Sequence, residues 1–183
     1  MSRAVFLDRD GTINKDFGYV SKIQDLEFER NAVEGIRMFQ DLGYRLIIIT
    51  NQSGIARGVH TEEQTQRFND ELVRRLGAED IKIDGVYYCP HFPGGKVTEY
   101  AIECGCRKPK IGMISKALEQ YPDIELEKSV MIGDKVQDVE TGKSAGCITI
   151  LVNTGKGGGD GQAKPDYVAA DLKDAAEWVA SLR

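Results

Sequence analysis

The sequence predicts an α/β fold, a doubly wound Rossmann-like parallel sheet, and two observations lead to it. Five apolar runs have the length of strands, and stretches with helical periodicity lie between most of them. Runs such as Leu46 to Ile49 are apolar without a break, which is typical of parallel strands covered on both faces. Helices that alternate with such strands would cover both faces of the sheet.

Each predicted element has its own signal. The predicted strands cover residues 4–7, 45–50, 85–89, 129–132 and 147–152. The first helix is predicted because four apolar side chains share one helical face and precede a Gly43 stop: Val33, Ile36, Phe39 and Leu42. The second, over residues 61–76, begins with a Thr-x-x-Gln capping box. Three further helices are predicted over residues 111–121, 136–145 and 172–182.

The composition fits one globular domain with a full core, over residues 1–183. Of the 183 residues, 41% are hydrophobic and 29% are charged, which is ordinary for a soluble chain. The net charge of -5 and the pI near 5.2 argue against nucleic acid or an anionic membrane as the main partner, since both favour a spread basic surface. No heptad seam or apolar helix face indicates a partner subunit, so we expect a monomer.

The sequence also predicts a cytoplasmic protein. No apolar stretch approaches the roughly 18 residues of a membrane-spanning helix. Met1 to Arg3 lead directly into the first predicted strand, without the apolar segment of a secretory signal peptide.

Three loops stand out by length or composition. Residues 11–31 and 90–110 follow the first and third predicted strands, where an open α/β sheet forms its site, and loops of this length usually carry function. Residues 154–164 are rich in glycine but lack the spacing of a phosphate-binding loop. We expect that segment to be a mobile loop near the same edge.

The segment AVFLDRDGT, Ala4 to Thr12, constrains function most tightly. In an extended chain residues i and i+2 point to the same side, so Asp8 and Asp10 would project two carboxylates into one volume. Such charges repel unless a divalent cation or a proton lies between them. This predicts a metal-assisted carboxylate nucleophile. The competing interpretation is an acidic turn or calcium loop, but the calcium-loop pattern D-x-D-x-D-G would need a carboxylate or amide at Thr12 and a glycine one residue later.

Other strand ends carry groups that can bind phosphate. Hydroxyls, amides and charged groups follow the second, third and fourth predicted strands: Thr50, Asn51, Gln52, Ser53, Arg107, Lys108, Asp134 and Asp138. Each residue alone has a structural explanation, such as a solvated Lys108, a turn at Thr50 or a helix cap at Asp134. Their joint appearance at successive strand ends favours a single site.

This ordered set resembles the haloacid dehalogenase (HAD) superfamily of phosphatases. The resemblance covers nearly the whole chain and rests on four motifs: Asp8-x-Asp10-Gly11-Thr12, Thr50, Lys108 and Gly133-Asp134-x-x-x-Asp138. It implies a HAD-like fold without a separate cap domain. It also implies that Asp8 attacks phosphorus to form an aspartyl phosphate, and that Asp10 protonates the leaving oxygen and later activates water.

The resemblance further implies how the charge of the phosphoryl group is neutralised. Mg2+ would be held by Asp8, Asp134 and the backbone carbonyl of Asp10. Lys108 and the Thr50 hydroxyl would supply the remaining stabilisation, which suits a reaction that needs mainly positioning and charge neutralisation. Asp138 is expected to brace Lys108 or a metal-bound water.

Three cysteines and a histidine on the second long loop form a possible zinc set. They are Cys89, His91, Cys104 and Cys106, a Cys3His combination within residues 89–106. Four protein ligands close the metal shell, so we expect a structural Zn2+ that orders the loop. A disulfide is the alternative in an oxidising compartment. Cys147 lies in a predicted strand and is expected to be a buried small hydrophobe.

The Cys-Pro-His start, the Cys-x-Cys end and the following Arg-Lys-Pro are similar to the zinc-loop branch of the superfamily. That branch contains D-glycero-D-manno-heptose 1,7-bisphosphate phosphatases and histidinol-phosphate phosphatases. Twelve residues separate His91 from Cys104, and histidinol phosphatases typically have a shorter loop. The resemblance therefore implies removal of the 7-phosphate of the heptose, on the route to nucleotide-activated heptose for lipopolysaccharide precursors. The alternative is a histidinol-phosphate phosphatase or another small-molecule phosphatase. Phe92 departs from the branch, which often has a second histidine there.

The resemblance also implies which residues contact the small phosphorylated sugar. Besides Thr50 and Lys108 they are Asp16, Phe17, Gly18, Tyr19, Asn51, Gln52, Ser53, Arg107 and Lys135. We expect Arg107 to bind the distal phosphate, the one that is not transferred. A planar guanidinium can hold a phosphate through two hydrogen bonds, and a lysine cannot. A surface ion pair is the alternative for Arg107.

A receiver-like signalling module is the competing function from a different class. It also combines clustered aspartates, a threonine and a lysine around an aspartyl phosphate. In such a module the phosphorylated aspartate lies on a later strand, not in an Asp-x-Asp pair. A carboxyl group at Asp10 predicts rapid hydrolysis, whereas a signalling module keeps a long-lived phosphoprotein. The sequence does not predict which anomer of the heptose is preferred.

Overall fold

In the computed structural model, which describes residues 1–156 and 164–182, six parallel strands form one sheet. The strands are β1 (Ala4–Leu7), β2 (Arg45–Asn51), β3 (Gly85–Cys89), β4 (Val130–Gly133), β5 (Ile148–Val152) and β6 (Tyr167–Ala169). Five of them match the predicted strands to within one residue at either end. The three-residue β6 was not predicted.

Five α-helices connect or follow the strands in the described part of the chain. They are α1 (Ala32–Asp41), α2 (Glu62–Gly77), α3 (Gly112–Gln120), α4 (Val136–Ala145) and α5 (Leu172–Ser181). All five predicted helices are confirmed. Two short 3-10 helices, Ile23–Asp25 and Leu126–Lys128, lie in the connections. Residues 157–163, which include most of the glycine-rich segment predicted to be mobile, lie outside the described residues.

The order of the strands is β3-β2-β1-β4-β5-β6, and every neighbouring pair is parallel. From β1 the chain moves outward to β2 and β3, then returns to the other side of β1 with β4. The strand order therefore reverses between β1 and β4. In open α/β sheets the crevice beyond the carboxyl ends of the strands at such a point binds ligands. The predicted α/β fold is confirmed, and it places the loops after β1 and β4 side by side.

Alternate residues of the strands build a core on each face of the sheet. Val5 and Leu7 point into one layer, which α1, α2 and α5 cover. Ala4 and Phe6 point into the other, which is covered by apolar side chains of α3. Because both faces are covered, β1 is apolar at every position and β2 is apolar from Leu46 to Ile49, as the sequence predicted.

Two local features fix helix positions. The capping box at the start of α2 is confirmed, since Thr61 and Gln64 each accept a hydrogen bond from the other's backbone N–H. Helix α1 approaches the start of α5 so closely that a Cβ at Gly35 would collide with the backbone of Leu172. Among the described residues no helix has the length and apolar character to cross a membrane.

Candidate active site

The predicted catalytic residues meet at the carboxyl edge of the sheet. Asp8 directly follows β1, Thr50 lies near the end of β2, and Asp134 directly follows β4. All three are buried, as is Lys108 from the long loop after β3. Because adjacent parallel strands end at the same edge, four segments distant in sequence contribute to one site.

Lys108 forms the centre of a buried charge cluster. Its side chain is fully buried, and its Nζ lies 2.9 Å from Asp8 Oδ1 and 2.6 Å from Asp138 Oδ1. It also donates to the Ile49 carbonyl at 3.2 Å. The Asn51 amide bonds the backbone of Lys108 in both directions, accepting from its N–H and donating to its carbonyl. The structure therefore excludes a solvated Lys108 and places Asp138 where it braces this lysine.

The charges of this cluster set its protonation. Burial alone would raise the pKa of Asp8, but the positive charges of Lys108 and Lys135 outweigh burial and hold that pKa below its ordinary value. Burial raises the pKa of Asp138 to about 7 despite its ion pair with Lys108. Burial would lower the pKa of Lys108, yet Asp138 and Asp8 outweigh it and raise that pKa. Asp8 is thus a carboxylate, the form that a nucleophile needs.

Three oxygens next to this cluster converge on one positive group. The ammonium of Lys135 lies 3.8 Å from Asp8 Oδ2 and 3.3 Å from Asp134 Oδ1, and it donates to the Asp10 carbonyl at 3.4 Å. Asp134 Oδ1 is buried and accepts no hydrogen bond. These are the three oxygens that the resemblance assigned to Mg2+, and hard oxygens are its preferred ligands. The donor set fits a divalent cation.

Two glycines allow the backbone of their own segments to pack directly against the Asp134 carboxylate. A Cβ at Gly11 would lie 2.5 Å from Asp134 Oδ2, and a Cβ at Gly155 would collide with the same oxygen. The backbone N–H of Lys156 donates to that oxygen at 2.9 Å, and the Thr154 hydroxyl donates to the Gly11 carbonyl at 2.8 Å. One carboxylate oxygen of Asp134 is therefore held by backbone, which leaves the other directed at the cation site.

The Asp10 side chain belongs to a separate hydrogen-bond network. Its Oδ1 accepts from Arg9 Nε and Asn14 Nδ2, and its Oδ2 accepts from Arg9 Nη2 and Gln52 Nε2, all at 2.9–3.0 Å. Gln52 Nε2 also donates to the Thr50 hydroxyl at 2.9 Å, so it links Asp10 to Thr50. Arg9 is fully buried and donates as well to Asn69 and to the Val20 carbonyl. Sequence reasoning missed Arg9, Asn14 and Asn69.

A polar cavity of about 260 Å3 opens above these groups. Asp10 lines it, together with most of the predicted substrate contacts: Asp16, Gly18, Tyr19, Asn51, Gln52, Ser53, Arg107 and Lys135. Gln137 and Lys156 line it too and were not predicted. Phe17, which was predicted, does not line the cavity, and 61% of it is exposed. Three cationic side chains around one small cavity suit a substrate with more than one phosphate.

Asp16 is held at the cavity as an anion between two of these cations. Burial would raise its pKa, but the N–H of Gly18 and the charges of Lys135 and Lys156 outweigh burial and lower that pKa. The Asp16 Oδ2 lies 3.1 Å from Lys156 Nζ and 3.7 Å from Lys135 Nζ. The lysines are therefore oriented across the cavity before a ligand arrives.

The four residues of the predicted zinc set come together on the long loop after β3. The Sγ of Cys89 lies 3.2 Å from that of Cys106 and 3.6 Å from that of Cys104. His91 Nδ1 lies 3.4 Å from Cys106 Sγ. All four cysteines of the chain are free thiols, and these separations exceed a disulfide bond. Sulfur and imidazole ligands at such spacing suit a tetrahedral metal site.

Comparisons with known proteins point in the same direction as this geometry. The HAD-hydrolase-like family model matches residues 105–175. A D-glycero-beta-D-manno-heptose-1,7-bisphosphate 7-phosphatase from Haemophilus influenzae is 42% identical over 185 residues and covers 100% of both chains. The phosphatase of the same name from Escherichia coli is 41% identical over 177 residues, covering 96% of this chain and 87% of its own.

A solved structure also resembles the whole chain. The D,D-heptose 1,7-bisphosphate phosphatase from B. bronchiseptica, crystallised with magnesium and phosphate, superposes with a TM-score of 0.85 at 27% sequence identity. The alignment covers 99% of this chain and 99% of that one. The corresponding phosphatase from Burkholderia thailandensis gives a TM-score of 0.71, also at 27% identity, and covers 98% and 99% of the two chains.

Proposed function

Because the chain belongs to the HAD-like hydrolases, among the heptose 1,7-bisphosphate 7-phosphatases, we propose that it removes the 7-phosphate of D-glycero-beta-D-manno-heptose 1,7-bisphosphate. The observation that carries the proposal is the Asp8 carboxylate, buried between Lys108 and Lys135 below a cavity with three cationic side chains. The preference for the β anomer follows the names of the relatives. The step belongs to the route to nucleotide-activated heptose.

The first half-reaction transfers the phosphoryl group to Asp8. An oxygen of Asp8 attacks phosphorus while the bond from phosphorus to the sugar O7 breaks, and Asp10 gives a proton to O7. The Lys108 ammonium and the Thr50 hydroxyl stabilise the oxygens of the transferring group. Bound Mg2+, held by Asp8, Asp134 and the Asp10 carbonyl, would neutralise further negative charge there.

The second half-reaction releases phosphate. Asp10 takes a proton from water as the water oxygen attacks phosphorus, and the bond to Asp8 breaks. The four hydrogen bonds donated to Asp10 suit its ionised form, which is the base of this step. The first step needs the protonated acid, so the Asp10 carboxyl must release at least one of these donors when substrate binds.

The remaining predictions complete the proposal. The whole chain acts as one phosphatase domain, in which Zn2+ bound by Cys89, His91, Cys104 and Cys106 orders the loop. Reduced thiols at that site suit the cytoplasm, where we place the enzyme. We keep a monomer as the expected state. Substrate contacts come from the cavity residues, with Arg107 on the phosphate distal to the one transferred.

The proposal is tested by phosphate release, in the presence of Mg2+, from three substrates: the β and α heptose bisphosphates and histidinol phosphate. We expect a preference for the β heptose bisphosphate and a loss of roughly a thousandfold or more in the D8N variant, which keeps the shape of Asp8 but not its nucleophile. A preference for histidinol phosphate would keep the chemistry and overturn the substrate. A long-lived phosphoprotein without turnover would favour a receiver-like module instead.

A further inference from the structure

The Arg107 side chain is held by the long loop after β3 that carries Cys89, His91, Cys104 and Cys106, called the Cys3His loop below, rather than by the sheet. Arg107 directly follows Cys106, and its Nη1 donates to the carbonyl of His91 at 3.4 Å. Its Cζ lies 5.4 Å from the ring centroid of Phe92. Among the described residues no carboxylate forms an ion pair with it, so the surface ion pair is not observed. Arg107 thus lines the cavity, and the contacts described for its guanidinium come from the loop.

The ring of Phe92 is itself fixed from two sides. The Cζ of Arg57, in the turn after β2, lies 3.7 Å from the ring centroid. The Phe92 backbone is closed into a turn, since its N–H donates to the Tyr100 carbonyl and its carbonyl accepts from the Gly95 N–H. A Cβ at Gly94 would lie 2.8 Å from Phe92 Cε1, so only glycine there leaves room for the ring in this position.

The tip of the loop is docked on the turn that carries Arg57. The backbone N–H groups of Lys96 and Val97 both donate to the Ala56 carbonyl, at 2.7 and 2.9 Å. A Cβ at Gly95 would lie 2.5 Å from the same oxygen, so the backbones pack directly against each other. The turn after β2 and the loop that carries Arg107 therefore form one unit, and Phe92 lies at their junction.

We propose that Phe92 is a positioning residue for Arg107: its ring, held by Arg57, directs the Arg107 guanidinium toward the substrate phosphate that is not transferred. The inference rests on the proposed function, in which Arg107 reads that phosphate. Arg57 stacks on the ring but does not line the cavity. A guanidinium over an aromatic ring is attracted by the ring's electron-rich face.

The test compares two substrates in the zinc-loaded enzyme: the heptose 1,7-bisphosphate and the heptose 7-phosphate, which lacks the distal phosphate. We expect F92L to raise KM for the bisphosphate roughly 3- to 30-fold, the effect of losing one partly desolvated cation–π contact, with little change in kcat. KM for the monophosphate should stay at the wild-type value. F92Y, which keeps an aromatic face, should restore the KM for the bisphosphate.

A double variant separates positioning from general loosening of the loop. If Phe92 acts through Arg107, F92L should raise KM no further in an R107A background. An equal rise in KM for both substrates, or no change in KM for the bisphosphate in F92L, would overturn the role of Phe92. Neither result would affect the proposed function. A wild-type enzyme with the same KM for both substrates would instead overturn the proposed reading of the distal phosphate, and this inference with it.

Discussion

Gly11 keeps the Asp134 carboxylate in place by having no side chain. Its φ is 87°, which L side chains rarely adopt, and a Cβ there would lie 2.5 Å from Asp134 Oδ2. We predict that G11A raises the Mg2+ concentration for half-maximal activity roughly 10- to 100-fold, because a displaced carboxylate weakens the metal site. A titration of activity with Mg2+ measures this shift.

Gly43 provides the matched control for this substitution. Its φ is 81°, but nothing lies within 4 Å of the position that a Cβ would take. G43A and G11A thus pay a similar cost for a left-handed backbone, about 1–2 kcal/mol. G43A should leave the Mg2+ titration unchanged. The prediction fails if both variants shift the titration by the same factor.

Lys108 stabilises the fold as well as the proposed transition state. It is fully buried and pairs with both Asp8 and Asp138, so its removal would leave the buried Asp138 carboxylate without its ion pair and Asp8 with Lys135 alone, 3.8 Å away. We predict that K108M lowers the free energy of unfolding by about 3–5 kcal/mol at pH 7, measured by urea denaturation without added Mg2+. The double variant K108M/D138N should recover part of this loss. A double variant no more stable than K108M would contradict the explanation.

Most of the candidate site could be predicted from the sequence because its residues follow predicted strands, and parallel strands end at the same edge of the sheet. Asp8, Thr50 and Asp134 were found from their places after apolar runs. Arg9 was missed because alternation along a strand puts it on the side opposite Asp8 and Asp10. Its long side chain nevertheless returns to bond the Asp10 carboxylate, and it contacts Asn69, 60 residues away. Contacts of this kind depend on packing, which a strand pattern does not contain.

At the scale of elements, Glu71 fixes Arg75, which connects helix α2 to the loop between β1 and α1. Glu71 accepts hydrogen bonds from Arg74 and Arg75, and Arg75 also donates to the Leu26 carbonyl in the loop between β1 and α1. Hydrogen bonds from both arginines lower the pKa of Glu71 from 4.5 to about 2. Since the folded pKa lies below the unfolded one, this stabilisation is present above about pH 4.5 and is lost as the pH falls toward 2.

We therefore predict a pH-dependent effect of E71Q, which removes the charge but keeps the shape. The variant should be less stable than the wild type at neutral pH, and the difference should shrink below about pH 4.5. Urea denaturation of both proteins at several pH values measures it. A stability difference that is the same at pH 7 and pH 3 would show that the charge is not its cause.

Element boundaries were predictable where local chemistry marks them, as at the Thr61 capping box. Strand β6 was missed because it has three residues and only Ala169 is buried. The cap interpretation of Asp134 was wrong. Lys135 is the N-cap of α4, and the Asp138 side chain accepts from the Lys135 N–H. Asp134 is thereby left for the proposed cation site, a division of roles between two aspartates that spacing alone does not reveal.

At the scale of the whole molecule, the Cys3His loop and the catalytic edge are parts of one structure. We predict that C106S loses the bound zinc, unfolds roughly 5 °C lower or more, and has a higher KM for the bisphosphate, because Arg107 follows this ligand directly. Metal analysis, thermal unfolding and kinetics measure the three effects.

Cys147 is the control, since it is buried outside the cluster. C147S should keep a full complement of zinc and the wild-type KM. If C106S retains its zinc, or if C147S loses it, the assignment of the ligands is wrong. If C106S loses zinc without any change in KM, the loop orders itself without the metal.

The fold class, a parallel sheet covered by helices, was predicted from the alternation of strands and helices. The order of the strands in the sheet was not predicted. Nothing in the sequence states that the chain returns to the far side of β1 with β4. That return brings Asp134 beside Asp8, because the two residues follow neighbouring parallel strands. The sequence therefore predicted which residues form the site. How they are arranged in space became known only from the order of the strands.

The close crossing of α1 and α5 has a consequence for biosynthesis. Asn31, just before α1, donates to Asp171, just before α5, across 140 residues of chain. The apolar face of α1 is thus made early and acquires this cover only after the intervening strands have been translated. During that interval it is exposed to chaperones and to other nascent chains, and such distant contacts slow folding. Helix α5, which covers this face of α1, is therefore translated long after the two aspartates that follow β1.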